Sequence, residues 1–209
     1  MISIIMLYFI QDHGTLGGVG MYPFGGRKNG ETIKEMQDCN YTLDTEGEMD
    51  EMSFRIAGVL RPTSKEIIFL CIGSDRSTGD SFGPLVGTML RENQVPYHVF
   101  GTLAEPVHAL NLKSVLKEIK KQFKNPFIFG IDACLGGYHQ IGSIILTKGP
   151  FSPGEAMNKS LPELGDYHLK AVVNYLDPLL PKESLNETRL DTVMNLAKIT
   201  TRIIVKSLK

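Results

Sequence analysis

Between residues 66 and 136 the sequence alternates unbroken apolar runs with amphipathic ones, and this alternation narrows the possible folds most. Residues 66–72, 97–100 and 127–131 are short runs rich in Ile, Phe, Leu and Val, as strands covered on both faces require. Residues 81–93 and 112–123 read as helices, the second carrying Leu112, Val115, Leu116 and Ile119 on one face. Pro84 suits the first turn of the former, and Asn125-Pro126 stops the latter. Further strands are expected over 143–147 and 167–173. A long last helix should open on a Ser184/Glu187 capping box, with Leu190, Val193, Met194, Ala197, Ile204 and Leu208 following at helical spacing. Strands alternating with helices mean an α/β fold, a three-layer sandwich around a largely parallel sheet.

The first sixty residues look different. Seven glycines fall between Gly14 and Gly30, and Asp44 to Glu51 is acidic. Residues 1–60 therefore read as a flexible or irregular extension ahead of a single domain over 65–209, with Met49 and Met52 as alternative starts. The apolar run at residues 1–10 is half the roughly twenty residues a spanning helix needs, and it lacks the basic flank of a secretory signal. The expectation is a cytoplasmic protein with no membrane partner.

Charge and cysteine usage exclude more than they suggest. A net charge of -1 leaves no electrostatic footprint for nucleic acid, and the lysines of 117–124 read as one solvated helix face. Three widely spaced cysteines without a CxxC indicate neither a disulfide framework nor a zinc knuckle. Cys71, closing a strand, reads as a small core residue.

The chemistry concentrates in the turn from Gly73 to Pro84, which joins the first strand to the first helix and carries Asp75 and Asp80. Right-handed crossovers commonly give the strand order 2-1-3, so the first and third strands are neighbours. Ligands of such sheets bind outside the C-terminal strand ends. Asp80 follows the first strand and Asp132 ends the third. Neighbouring strands are about 4.8 Å apart, so the two carboxylates could face one water. Two close carboxylates do not both ionise readily; one holds a proton. Such a pair can serve as base toward water and acid toward a leaving amine without a metal or cofactor. The plainer alternative makes Asp80 a helix cap and Asp132 a turn residue. The turn lacks the Lys of a phosphate-binding loop.

Other residues stand close enough in the pattern to be weighed. Asp75 and Arg76 could pair locally, or Arg76 could bind a substrate carboxylate. His108 or His139 could complete an Asp/Asp/His metal site. Cys134 with His139 could form a nucleophile and its base. His13, His98 and His168 have no partner pattern and read as structural.

The run Gly73-Ser74-Asp75-Arg76-Ser77-Thr78-Gly79-Asp80-Ser81-Phe82-Gly83-Pro84 closely resembles the signature of the YyaC-type sporulation proteins of spore-forming bacteria. Glu105-Pro106-Val107-His108-Ala109, Gly130-Ile131-Asp132-Ala133-Cys134, Lys148-Gly149-Pro150 and Asn186-Glu187-Thr188-Arg189 resemble further pieces of it. The resemblance covers about residues 65–208. That family is distantly similar to the spore germination protease, whose Thr, catalytic Asp and Gly-Pro match Thr78, Asp80 and Gly83-Pro84. Its second catalytic Asp matches Asp132. The hydrogenase-maturation endopeptidases are also similar, and there the acids matching Asp80 and Asp132 bind nickel with a His. The resemblance implies a phosphorylase/hydrolase-like fold and an aspartate-dependent endopeptidase acting in sporulation or germination. It implies a protein or peptide substrate, spore proteins among them, and a forespore or spore location. Asp75, Arg76, Thr78, His108 and His139 are then supporting candidates. A non-catalytic binding protein on the same fold and a nickel- or zinc-dependent peptidase are the alternatives.

Overall fold

The computed structural model describes residues 6–7, 39–42, 45–151, 165–177 and 179–209. The glycine-rich stretch from Gly14 to Gly30 lies outside the described residues. The strands are β1 (Met6–Leu7), β2 (Cys39–Thr42), β3 (Ile67–Cys71), β4 (His98–Phe100), β5 (Phe127–Gly136), β6 (Ser143–Lys148) and β7 (Tyr167–Tyr175). The helices are α1 (Glu46–Leu60), α2 (Phe82–Glu92), α3 (Leu112–Gln122), α4 (Pro181–Asn186) and α5 (Leu190–Ser207).

The sheet runs β2-β6-β7-β5-β3-β4, with β1 pairing β5 beside this path. β4, β3, β5 and β7 are mutually parallel, and β6 is antiparallel to both β7 and β2. The expected 2-1-3 order of the first three parallel strands is therefore present as β4-β3-β5. Two cores cover the two faces. Ile67, Phe69, Phe129, Ile131, Leu169 and Ala171 pack with residues of α1, α2 and α5 on one face. Ile68, Leu70, Ile72 and Ile128 pack with Leu112, Leu116 and Ile119 of α3 and with Phe151 on the other. That is the three-layer α/β sandwich expected from the alternation.

Three expectations need correction. First, residues 45–60 are no irregular extension. Thr45 and Glu48 form a reciprocal capping box, and Met52, Ile56, Val59 and Leu60 are buried in the core. The Ser53 hydroxyl donates to the Ile203 carbonyl at 3.1 Å, and Glu46 pairs with Arg202 at 2.8 Å, so α1 is fastened to α5. Within the acidic run, Glu46, Asp50 and Glu51 lie on the solvated side of that helix. A chain starting at Met49 would lack the cap.

Second, Asp132 does not end its strand. β5 continues to Gly136 because β7 pairs with it that far. It is β3 that stops, at Cys71 opposite Ile131, so Asp132 is the first residue of β5 beyond the end of β3. Third, Ser184 and Glu187 belong to the short α4 and its C-cap, and the long helix α5 starts at Leu190 after Arg189 without a side-chain cap. Pro181 at the start of α4 and the turn at residues 187–189 break what reads in sequence as one helix.

Candidate active site

The end of β3 delivers Asp80 through a tightly closed loop. The Ile72 N–H donates to the Ile131 carbonyl at 2.7 Å, and the Gly73 N–H to the Val107 carbonyl at 2.8 Å. Gly73 then takes φ +144°, and any Cβ there would overlap the Asp80 carbonyl oxygen. That carbonyl accepts from the Ser74 N–H at 3.0 Å, closing residues 74–80 on themselves. Gly79 packs so closely under α4 that an added Cβ would lie 2.7 Å from Leu185 Cδ2 and 3.0 Å from Thr188 Oγ1. The result is a 3-10 turn over Gly79–Ser81 that holds Asp80 at 1% exposure. Asp80 is not the cap of α2, because Ser81 occupies the N-cap position.

Side chains alternate along β5. Phe129, Ile131, Ala133 and Leu135 enter the core against α1, α2 and α5, so Asp132 points to the α3 side. It is 1% exposed. Its Oδ1 accepts from the Ala133 N–H at 2.8 Å, and its Oδ2 is buried, meeting no hydrogen-bond donor among the described residues. Burial is the main cause that pushes this carboxyl well above the ordinary carboxylate range. The nearby charge of Asp80 pushes the same way, against the pull of Lys170 and the Ala133 N–H. The two aspartates therefore interact electrostatically at one site.

Lys170 is the residue that sequence reasoning missed. It is the direct register partner of Asp132 across the β5–β7 pair and is 3% exposed. Its ammonium lies 5.9 Å from the centre of the Phe151 ring, which itself covers Gly130. A signal was available. A lysine interrupts an otherwise apolar strand, Leu169 to Val173, that the parallel sheet buries on both faces.

The remaining candidates separate. Asp75 and Arg76 are exposed at the loop tip, where the Arg76 N–H donates to Ser74 Oγ at 3.3 Å. Thr78 serves the loop through its carbonyl, which accepts from Ser81 Oγ at 2.6 Å and from the Ser81 N–H at 3.2 Å. His108 is half-buried and lines a cleft of about 420 Å³ beside β4 with Arg91, Phe100, Glu105 and Asn111. His139 is exposed in the turn after β5. Cys134 is buried, and burial pushes its thiol up to about 12, with Lys170 lowering it and Asp132 raising it. A thiol held protonated is the reverse of an activated nucleophile.

The donor set also speaks to nickel or zinc. Among the described residues, no three His, Cys, Asp or Glu side chains come together as a metal site needs. The group facing Asp132 is an ammonium, which repels a metal cation. These residues do not fit a metal centre.

Residues 41–203 match the family described as "Protein of unknown function (DUF1256)". The chain belongs to that family. It is 46% identical over 140 residues to YyaC of Bacillus subtilis (strain 168), described as an uncharacterized protein, covering 66% of this chain and 68% of that one. Among solved structures it is similar to the [NiFe] hydrogenase maturation protease HycI of Thermococcus kodakarensis KOD1. That match has a TM-score of 0.46 and 20% identity, and it covers 72% of this chain and 99% of the other. Among the described residues, no helix is long and apolar enough to cross a membrane.

Proposed function

We propose that the protein is an aspartate-dependent endopeptidase acting in sporulation or spore germination, with water activated between Asp80 and Asp132. One observation carries the reading: Asp80, in the 3-10 turn after β3, and Asp132, on β5 just past the end of β3, are both buried, and burial together with the Asp80 charge biases Asp132 toward its protonated form. In that arrangement one carboxyl is the base and the other the acid. The ionised member takes a proton from water as the water oxygen bonds to the peptide carbonyl carbon. The protonated member gives its proton to the carbonyl oxygen. When the C–N bond breaks, the base returns its newly gained proton to the leaving nitrogen. The tetrahedral hydroxyl gives its proton back to the other carboxyl, so the pair regains its starting charge. Because the pair lies below the surface, the segment cleaved must be extended rather than folded. The spore setting is supported by the motif resemblance alone.

The test is cleavage of spore proteins and of a peptide library, read by mass spectrometry, with Asp80→Asn and Asp132→Asn beside the wild type. Each substitution should reduce turnover by about 10²–10⁴-fold, the usual contribution of a general acid or base. Turnover equal to wild type in both variants would sink the proposal. The depth of the pair, 1% exposed on each side, favours one competitor, a binding protein that keeps the fold without turnover. It is identified by retention of a spore partner without any product.

A further inference from the structure

Lys170 has no part in the reaction above, yet it is built into the same site. It is the one lysine or arginine buried among the described residues. An ammonium there costs several kcal/mol unless fixed negative charge compensates it. Its register places it against Asp132 on the α3 side of the sheet. Its charge is felt by Asp132, by Cys134 on the same strand and by His168 two residues away on β7.

The groups around Asp132 can be counted by element. The turn after β3 contributes Asp80, and β7 contributes Lys170 and His168. β5 itself contributes Cys134, whose thiol is protonated. The buried residues of α3 are the apolar Leu112, Leu116 and Ile119, and its lysines and Glu118 lie on its outer side. His108 lines the separate cleft beside β4. His168 is neutral near pH 7, because burial and the Lys170 charge hold it down to about 4. Among the described residues, charge at the site therefore depends on two carboxyls and one ammonium. Both carboxyls ionised leave a net negative charge in the interior, and both protonated leave a net positive one. A single shared proton leaves none.

We propose that Lys170 is the internal counter-ion of the aspartate pair, making the singly protonated pair the electrically neutral state of the site. Lys170 is thus a positioning residue, acting through Asp80 and Asp132 rather than on substrate. The catalytic meaning of that state rests on the endopeptidase reading; the charge balance does not.

The experiment separates the two. Side-chain carboxyl shifts of 13C-labelled aspartates are followed by NMR against pH in the full chain. The wild type is compared with Lys170→Met, which removes the charge, and Lys170→Arg, which keeps it. A pH–rate profile for peptide cleavage is recorded on the same samples. Lys170→Met should move the carboxyl titration, and the acid limb of any profile, to higher pH by about one unit or more. Lys170→Arg should return both toward wild type. An unchanged titration in Lys170→Met overturns the proposal, even if cleavage is intact. A shifted titration in a protein that cleaves nothing upholds it and removes the endopeptidase reading. Should Lys170→Met fail to fold, the 15Nζ shift of Lys170 in the wild type decides. It should show a charged amine at pH 7, and a neutral one overturns the proposal.

Discussion

Asp132 and Lys170 stand directly opposite each other on neighbouring parallel strands, 1% and 3% exposed. Even with that ammonium beside it, burial and Asp80 hold the Asp132 carboxyl well above its ordinary range. The native state therefore keeps a proton over a pH range in which the unfolded chain has released it. Stability should fall as pH rises through that range. Asp132→Asn imitates the protonated form, so it should raise Tm at pH 7 by at least about 2–4 °C, equivalent to roughly 1 kcal/mol in a chain of this size. Calorimetry of the two proteins checks it, and the gap should close on acidification.

His168 gives the opposite slope. Burial first, then the Lys170 charge, lowers it to about 4, although its Nδ1 lies 3.1 Å from the Gly149 carbonyl oxygen. The unfolded chain takes up the proton near pH 6.5, so stability is lost as pH falls from there toward 4. The loss is on the order of 3 kcal/mol at most. His168→Gln should flatten this acid slope in Tm measured between pH 7 and 4.

Gly83 lies where the first turn of α2 touches the end of β3, and a Cβ there would overlap the Ile72 carbonyl oxygen. Gly83→Ala must push α2 off the strand and carry the Asp80 turn with it. A loss of about 1–3 kcal/mol in urea unfolding is expected, together with lower turnover.

Met52 tests whether α1 belongs to the fold. It is fully buried and belongs to the core under α1, α2 and α5. Met52→Ala should cost about 2–5 kcal/mol in the same unfolding assay. An extension independent of the domain would leave the midpoint unchanged.

The legible parts of the sequence were those with a single strong signal. Unbroken apolar runs marked β3 and the start of β5, and the topology rule then brought Asp80 and Asp132 to one place. α1 carried its signals too, with Thr45 and Glu48 at capping-box spacing and Met52, Ile56, Val59 and Leu60 on one face. They were hidden because its acidic side continued the polar composition of the stretch before it. The extent of β5 could not be read, since it depends on how far β7 pairs beside it. Lys170 was overlooked because sequence shows that a charge lies in a strand but not which residue faces it.

The central claim is that Asp80 and Asp132 act on each other within one buried site. The most direct measurement is the carboxyl titration of Asp132 by NMR in wild type and in Asp80→Asn. Asp132 should titrate well above the ordinary carboxylate range in the wild type and at lower pH once Asp80 loses its charge. An Asp132 that titrates at the ordinary carboxylate value, unmoved by the substitution, would contradict the account.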